Sequence, residues 1–288
     1  DAKAWMDVTE SSLKNIDSIL SQMNTYCVQG SNDTLTMKDR SAIAANLREL
    51  KDQIYQEGNA NYAGRYVFTG FKTDTPLVFE DNTSDYHYIM TEKLDYTKIT
   101  QSTKVLNSVS LSQYNEADPS NSDFEERPTT TDVYRLRLAY NNLLADDGIA
   151  INLDPEYDEY GEIVRDGEGN IVYGDTFTNI NIVSLSDGDV YDPAEGTVNY
   201  IAETGELIIA KDIYTDWVKN ERDIHVTYGK STFQKNDLKP EHYFDCVRTE
   251  YNDAGELDDD TAITFTKEVQ AIEYEVNFNQ KLQINTEG

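Results

Sequence analysis

Apolar residues at the start of the chain recur every three or four positions, which is the spacing of an amphipathic helix. This pattern predicts a first helix over residues 5–29, and the turn-forming residues Gly30 to Asp33 end it. A second helix is predicted over residues 37–57, with Thr36 as its N-cap and Asp39 near the capping-box position. Because the connection is short, we expect the two helices to be antiparallel neighbours. The apolar face of the first helix contains Leu13, Ile16, Ile19, Leu20, Met23 and Cys27.

The second predicted helix has a narrow apolar seam, formed by Ile43, Leu47, Leu50 and Ile54. A seam of this width favours contact with a partner helix. One interpretation is an ordinary helical hairpin that packs on its own domain. The other is a hairpin that belongs to a longer bundle whose other helices lie outside this chain. We favour the second, because few residues precede Trp5, and we expect the chain to be the middle of a longer protein.

Strand patterns follow the second helix and return near the end of the chain. Gly58 or Asn59 is predicted to end the helix in a left-handed conformation. A β-hairpin is predicted over residues 65–79, with its loop at Gly70 to Pro76. The alternation near the end predicts C-terminal strands whose apolar side chains are Ile272, Tyr274, Val276, Phe278, Leu282 and Ile284.

The middle of the chain has a different character, with one predicted helix and then a series of hairpins. The helix is predicted near 132–145, because Val133, Leu136, Tyr140 and Leu143 follow one another at helical spacing. After it, Gly-rich turns between short apolar runs predict β-hairpins. Between Asp146 and Trp217 there are 18 acidic residues against two basic ones, a net charge of about −16.

The whole chain has 288 residues with 24 Lys and Arg against 54 Asp and Glu, a net charge of −30. Such a surface repels phosphate backbones and anionic lipids, so we expect no nucleic-acid partner and no membrane partner. The sequence has no apolar run of membrane-spanning length and no secretory signal pattern. Two cysteines, Cys27 and Cys246, are too few for a disulfide scaffold, and whether they pair is left open.

Residue patterns that would indicate an enzyme are missing from the sequence. Neither a His-Glu-x-x-His nor a Gly-x-Ser-x-Gly motif occurs, and the three histidines are scattered. The carboxylates of the acidic middle would suit calcium, yet the EF-hand spacing is not met. We therefore predict no enzyme, no catalytic or metal-binding residue and no cofactor. A calcium-binding or adhesive surface module remains an alternative.

Residues 7–79 resemble the flagellin-like family of bacterial flagellar proteins. The resemblance lies in the stretches SLKNIDSIL, NDTLTMKDRSAIAANLRELKDQI and GNANYAGRYVFTGFKTDTPLVF. The strand Gly64 to Gly70, followed by Lys72 to Pro76, is the most specific part and is most similar to members at the junction between hook and filament. The resemblance implies a structural and assembly motif that includes Asn59, Gly64, Arg65, Tyr66, Phe68 and Gly70.

The resemblance also implies an architecture of the α+β class. An antiparallel helical hairpin with β-hairpins would form a rod-like domain, discontinuous over residues 1–100 and 245–288. A mainly β inserted domain over residues 101–244 would carry the acidic residues into solvent. In this family both terminal helices form an inner coiled coil, and we expect them to be missing here.

As a function, the resemblance implies a structural adaptor at the hook–filament junction. Its partners would be hook-associated protein 1 on the hook side, flagellin, other copies in a ring, and an export chaperone. The protein would be extracellular, in the flagellum, exported without a cleaved signal peptide. We expect this chain by itself to be a monomer. The alternative within the same family is flagellin itself.

Overall fold

The structure is a computed structural model, and it describes residues 2–32, 34–105, 130–145, 149–167, 169–267, 270–277 and 280–285. The chain folds into two compact units. Unit 1 contains Asp1–Tyr88 and Thr232–Gly288, and unit 2 contains Ile89–Ser231. The sequence places the corresponding boundaries near residues 100 and 245. The fold class is α+β, as predicted, with long helices in unit 1 and antiparallel sheets in both units.

Unit 1 begins with two helices, α1 (Ala2–Gly30) and α2 (Met37–Gly58), close to the predicted ranges. The Thr36 side chain accepts a hydrogen bond from the Asp39 N–H, and the Asp39 carboxylate accepts one from the Thr36 N–H. The capping box predicted from the sequence is therefore complete. After α2, unit 1 contains the short strands β1 (Asn61–Tyr62) and β2 (Arg65–Tyr66). Its second stretch of chain contains a 3-10 turn at Pro240–His242 and the strands β12 (Asp245–Tyr251), β13 (Leu257–Phe265), β14 (Glu273–Asn277) and β15 (Gln280–Gln283).

The predicted hairpin over residues 65–79 is wrong in its pairing. Strand β2 pairs with β1, while Val78 forms a bridge with Leu238, a residue far from it in the sequence. The reason lies at Ala63 and Gly64, which both have positive φ and reverse the chain between β1 and β2. The C-terminal hairpin of β14 and β15 is antiparallel. The predicted apolar residue Phe278 lies outside the described residues.

Unit 2 contains β3, which starts at its boundary with unit 1, and most of the strands. Their bounds are β3 (Tyr86–Asp95), β4 (Thr100–Val105), β5 (Thr130–Arg137), β6 (Ala150–Pro155), β7 (Tyr173–Phe177), β8 (Ile180–Val183), β9 (Val198–Ile201), β10 (Glu206–Ile209), α3 (Lys211–Lys219) and β11 (Asp223–Lys230). One sheet has the strand order β4-β5-β10-β9-β8, in which only the β8–β9 pair is parallel. In the other, β6 pairs with β11 on one side and with β7 on the other.

The helix predicted near 132–145 is wrong, because this segment contains strand β5. Strand β5 pairs with β4 along Thr130–Arg135 and with β10 along Tyr134–Arg137, so every residue of the strand lies opposite at least one partner strand. The apolar residues Tyr134, Leu136, Leu138 and Tyr140 alternate with polar or small ones, and all four are buried. The residues thus fit a period of two as well as the helical period, and sheet pairing decides between them.

Candidate assembly surface

The two long helices of unit 1 form an antiparallel pair. Gly30 at the end of α1 lies against Ile43 near the start of α2, and a Cβ on Gly30 would lie 3.7 Å from the Ile43 side chain. In the other direction, the Asn15 amide donates a hydrogen bond of 3.0 Å to the Glu57 carboxylate at the end of α2. The hairpin predicted from the sequence is therefore present as such.

The predicted seam of α2 lies partly inside this hairpin. Ile43 and Leu50 are buried, whereas Leu47 and Ile54 are half-buried. On α1 the buried positions are Trp5, Thr9, Ser12 and Ile19. The seam therefore contributes to holding the hairpin together, and only part of its surface is open to another molecule.

A second apolar stripe on α1 is open to solvent. Met6, Leu13, Leu20 and Cys27 follow one another at intervals of seven residues, the repeat of a coiled-coil position. Leu13 and Leu20 are each about half exposed, at 50% and 51%, and Cys27 is also exposed. We call these four residues the outer stripe. A groove of about 490 Å³ runs beside Met6 and Leu13, with Gln283, Ile284 and Asn285 of the chain's tail on its other side.

The first part of the predicted motif is a tight turn at the surface. Ala63 and Gly64 have φ of 52° and 79°, which is the geometry of a type I′ turn between β1 and β2. Gly64 has open space around its Cα, so the positive φ alone makes glycine the favoured residue. Gly64 and Arg65, at the turn, are both exposed.

Asn59 occupies the junction between α2 and the segment that leads into unit 1's core. Its backbone N–H caps the end of α2 by donating to the carbonyls of Gln56 and Glu57. Its side-chain oxygen accepts two further hydrogen bonds, from the N–H of Leu77 at 2.8 Å and from that of Val78 at 3.1 Å. Asn59 therefore fixes the segment at residues 77–78 to the end of the helix.

The remaining motif residues lie in or next to the core of unit 1. Phe68 is buried, and Tyr66 is half-buried with its backbone N–H donating to the Thr73 carbonyl at 2.8 Å. Burial, assisted by the charge of Glu80, raises the pKa of the Tyr66 hydroxyl. Gly70 has a φ of 62°, as expected for a glycine that starts a loop. The core cluster around Phe68 also contains Trp5, Val67, Leu77, Val78 and Ile284.

The predicted site residues therefore separate into two groups. Gly64 and Arg65 are at the surface, whereas Asn59, Phe68 and Gly70 shape the scaffold beneath it. Sequence reasoning missed the contacts of the loop after Gly70 with the turn at Pro240–His242. Lys72 Nζ donates to the Glu241 carbonyl at 2.9 Å, across 169 residues of sequence. No local pattern could have indicated a contact over such a separation.

Unit 2 contains a buried carboxyl group with a structural role. Glu92 accepts hydrogen bonds from the Tyr228 hydroxyl at 2.8 Å and from the Ala139 N–H at 3.0 Å. Burial raises the pKa of Glu92, and these two hydrogen bonds act in the opposite direction. The carboxyl group of Glu92 in β3 is therefore bonded to β11 and to the residues just after β5. These hydrogen bonds explain how the carboxyl group is satisfied in the interior.

Three further observations concern metal binding, membrane-spanning helices and the two cysteines. Within the described ranges, no three or more His, Cys, Asp or Glu side chains are grouped so that they could hold a metal ion. In the same part of the chain, no helix has the length and apolar character needed to cross a membrane. Cys27 and Cys246 are both free thiols, and burial raises the pKa of Cys246 to about 12.

Comparison with known proteins agrees with the resemblance seen in the sequence. Residues 1–73 match the model of the bacterial flagellin N-terminal helical region. Flagellar hook-associated protein 3 of Salmonella typhimurium is 26% identical over 126 residues, which cover 41% of this chain and 39% of that protein. The chain is therefore similar in part to the flagellin N-terminal region and to hook-associated protein 3. The Escherichia coli protein of the same name is 32% identical over 77 residues, which cover 26% of this chain and 24% of that protein.

The chain thus spans less than two-fifths of the length of these curated relatives. Two crystal structures of Xanthomonas campestris FlgL were also found, each 14% identical in sequence. The first covers 81% of this chain and 69% of its own with a TM-score of 0.27, and the second covers 82% and 71% with a TM-score of 0.28. The names of the two curated relatives describe those proteins as parts of the flagellum.

Proposed function

We propose that this protein is a structural subunit at the junction between the flagellar hook and filament. There it serves as an adaptor that joins hook-associated protein 1 to flagellin. The observation that carries this proposal is the similarity to hook-associated protein 3, together with the flagellin match over residues 1–73. Those residues include the whole helical hairpin, the outer stripe and the motif from Asn59 to Gly70.

The outer stripe is the surface that we propose for contacts between subunits. Exposed apolar residues at heptad spacing lose water contact when another helix covers them, and each fully buried leucine contributes about 1.5–3 kcal/mol. The seam residues Ile43 and Leu50 are already buried in the hairpin, so they support this surface rather than form it. Arg65, exposed on its turn, is a second proposed contact.

Deletion of the gene that encodes this chain tests the proposal in its own organism. We expect cells with hooks but without filaments, and flagellin released into the medium. Immunogold labelling should place the protein at the hook tip of normal cells. Labelling along the whole filament would contradict the proposal and identify the protein as flagellin, the alternative.

A pair of matched substitutions tests the outer stripe in the same cells. Leu13→Asp places a charge in the stripe, whereas Ser18→Asp places the same charge on an exposed position on another side of α1. We expect the first to abolish filament assembly with a normal melting temperature, and the second to leave assembly intact. Equal effects of the two substitutions would exclude the stripe as a contact.

The proposal includes export through the flagellar secretion channel with the help of a chaperone, and a ring of copies in the assembled flagellum. Mass spectrometry of the protein recovered from flagella should then show an N-terminus without signal cleavage. The chain by itself should be a monomer, as light scattering can measure. A stable ring of this chain at micromolar concentration would show that segments outside it are not needed for self-association.

A further inference from the structure

Strand β8 (Ile180–Val183) forms one end of a sheet in unit 2. The strand order is β4-β5-β10-β9-β8, and β8 pairs with β9 in parallel. A strand at the end of a sheet has backbone N–H and C=O groups that its own ladder does not use, and such groups can pair with a strand of another chain. Which groups of β8 are available depends on its register with β9.

The ladder with β9 determines which backbone groups of β8 face outward. The Val198 N–H of β9 donates to the Asn179 carbonyl at 3.0 Å. In a parallel pair, every second residue of a strand directs its N–H and C=O groups to the neighbour. The odd-numbered residues of this segment therefore bond β9, and the backbone groups of Ile180 and Ile182 point away from it.

The outward N–H groups at the two ends of this edge already have local partners. The Ile180 N–H donates to the Thr178 carbonyl at 2.9 Å, and the Ser184 N–H donates to the Asp187 carboxylate at 2.9 Å. Between them lies Ile182, whose N–H and C=O both face outward and whose side chain is 52% exposed. We call Ile182, together with the outward carbonyl of Ile180, the open edge.

The sequence around the open edge lacks the charges that usually protect an edge strand. Charged side chains on such a strand normally prevent it from pairing with other chains. The eleven residues from Thr176 to Ser186 are all uncharged, although they lie within the acidic segment between Asp146 and Trp217. The other edge strands of the two large sheets do carry charged residues, which are Lys104 in β4, Asp175 in β7 and Asp258, Asp259 and Asp260 in β13.

The charges on either side of the open edge indicate what kind of strand it fits. Asp175 precedes the uncharged run and Asp187 follows it, and both are exposed. A second copy of this chain would bring its own acidic segment against this one, so like charges would oppose that pairing. A segment with lysine or arginine at both ends is instead attracted by the carboxylates on the two sides.

We propose that the open edge binds an extended segment of another protein, which adds a strand to the end of this sheet. The segment has a short uncharged stretch rich in β-branched residues, with lysine or arginine on both sides. One of its residues lies opposite Ile182 and exchanges two backbone hydrogen bonds with it, as in an antiparallel pair. Leu185, which is 48% exposed just after the strand, adds apolar contact. This site does not depend on the proposed function, because it lies outside the helical hairpin.

Binding of a synthetic peptide to the whole chain tests the proposal. The probe is Lys-Lys-Thr-Val-Thr-Val-Thr-Lys-Lys, and its control has the same sequence with all five central amides N-methylated, which keeps the charge but removes the donors. In NMR titrations we expect the largest amide shifts at Ile182 and its neighbours, and slower hydrogen exchange of the Ile182 amide. Calorimetry should show at least about fivefold weaker binding of the control, which is the effect of one lost hydrogen bond.

Substitutions in the protein test where the peptide binds. Ile182→Lys places a charge on the open edge, and Ile182→Pro removes its outward N–H without affecting the ladder to β9. Both should weaken binding of the probe by about fivefold or more. Ile263→Lys is the matched control, because Ile263 is 44% exposed on another edge strand, and it should bind like the wild type.

Four results would overturn the proposal. They are no binding of the probe at millimolar concentration, equal binding of the N-methylated control, equal effects of Ile182→Lys and Ile263→Lys, and dimers of the wild-type chain that Ile182→Lys abolishes. Equal binding of the control would mean that charge alone attracts the peptide. Dimers of that kind would mean that a second copy, rather than a basic segment, occupies the edge. The two peptides are compared on the wild-type chain, so this part of the test does not require that any variant folds.

Discussion

The side chain of Asn59 provides the sharpest test of how unit 1 is held together. Its oxygen accepts hydrogen bonds from the N–H groups of Leu77 and Val78, both of which are buried residues. Asn59→Ala removes the acceptor and leaves two buried donors without a partner. Each such donor costs about 1–3 kcal/mol. Because Asn59 is only half-buried, water reaches part of the site, and we expect a total loss of about 2–4 kcal/mol in the free energy of unfolding.

Urea unfolding followed by circular dichroism at 222 nm measures this loss. Helices α1 and α2 contain 29 and 22 residues against 9 in α3, so the signal reports mainly on unit 1. Asn59→Asp is the matched control, because a carboxylate also accepts both hydrogen bonds, and we expect it to stay within about 1 kcal/mol of the wild type. Asn61→Ala, at an exposed position two residues later, should change stability by less than about 0.5 kcal/mol.

Either of two results would contradict this role of the Asn59 side chain. If Asn59→Ala unfolds within about 0.5 kcal/mol of the wild type, the two backbone donors find other partners. If Asn59→Asp loses as much as Asn59→Ala, the amide nitrogen rather than the oxygen carries the interaction. A change in the slope of the urea transition would instead indicate that the extent of unfolding has changed.

Two further predictions concern backbone strain and a buried charge. Gly70→Ala should reduce the stability of unit 1 by about 1–2 kcal/mol and so lower its melting temperature, because a φ of 62° is unfavourable for alanine. Gly167→Ala is the control, since this glycine is exposed, has an ordinary φ and has open space around it. Equal effects of the two substitutions would show that the backbone conformation of Gly70 does not require glycine. For Glu92, whose pKa is raised by burial, the folded state binds the proton more tightly, so stability decreases as the pH rises from about 4.5 through the folded-state value. Calorimetry of Glu92→Gln between pH 4 and 8 should lack this component, and an unchanged pH profile would contradict it.

The sequence was sufficient for the elements that depend on neighbouring residues. The helical spacing and the capping box at Thr36 and Asp39 correctly predicted the hairpin of α1 and α2. The same kind of pattern failed at β5, where alternation and helical spacing coincide and only pairing with β4 and β10 decides. It also failed at residues 65–79, because Val78 pairs with Leu238, and a contact over that separation leaves no periodic trace.

The candidate surface shows why the site was harder to predict than the fold. A motif draws attention to residues with special backbone or packing demands, such as Gly70, Phe68 and Asn59, and in the structure these build the scaffold. Residues that contact a partner need only be apolar and exposed, and sequence periodicity does not show which apolar residues the rest of the protein covers. Ile19 and Leu20 illustrate this, since both belong to the apolar face predicted for the first helix, yet their exposures are 7% and 51%. Because the folded protein covers Ile19 and not Leu20, the open part of the helix can be identified only from the structure. For this reason the proposed contacts lie on the outer stripe rather than on the seam of α2.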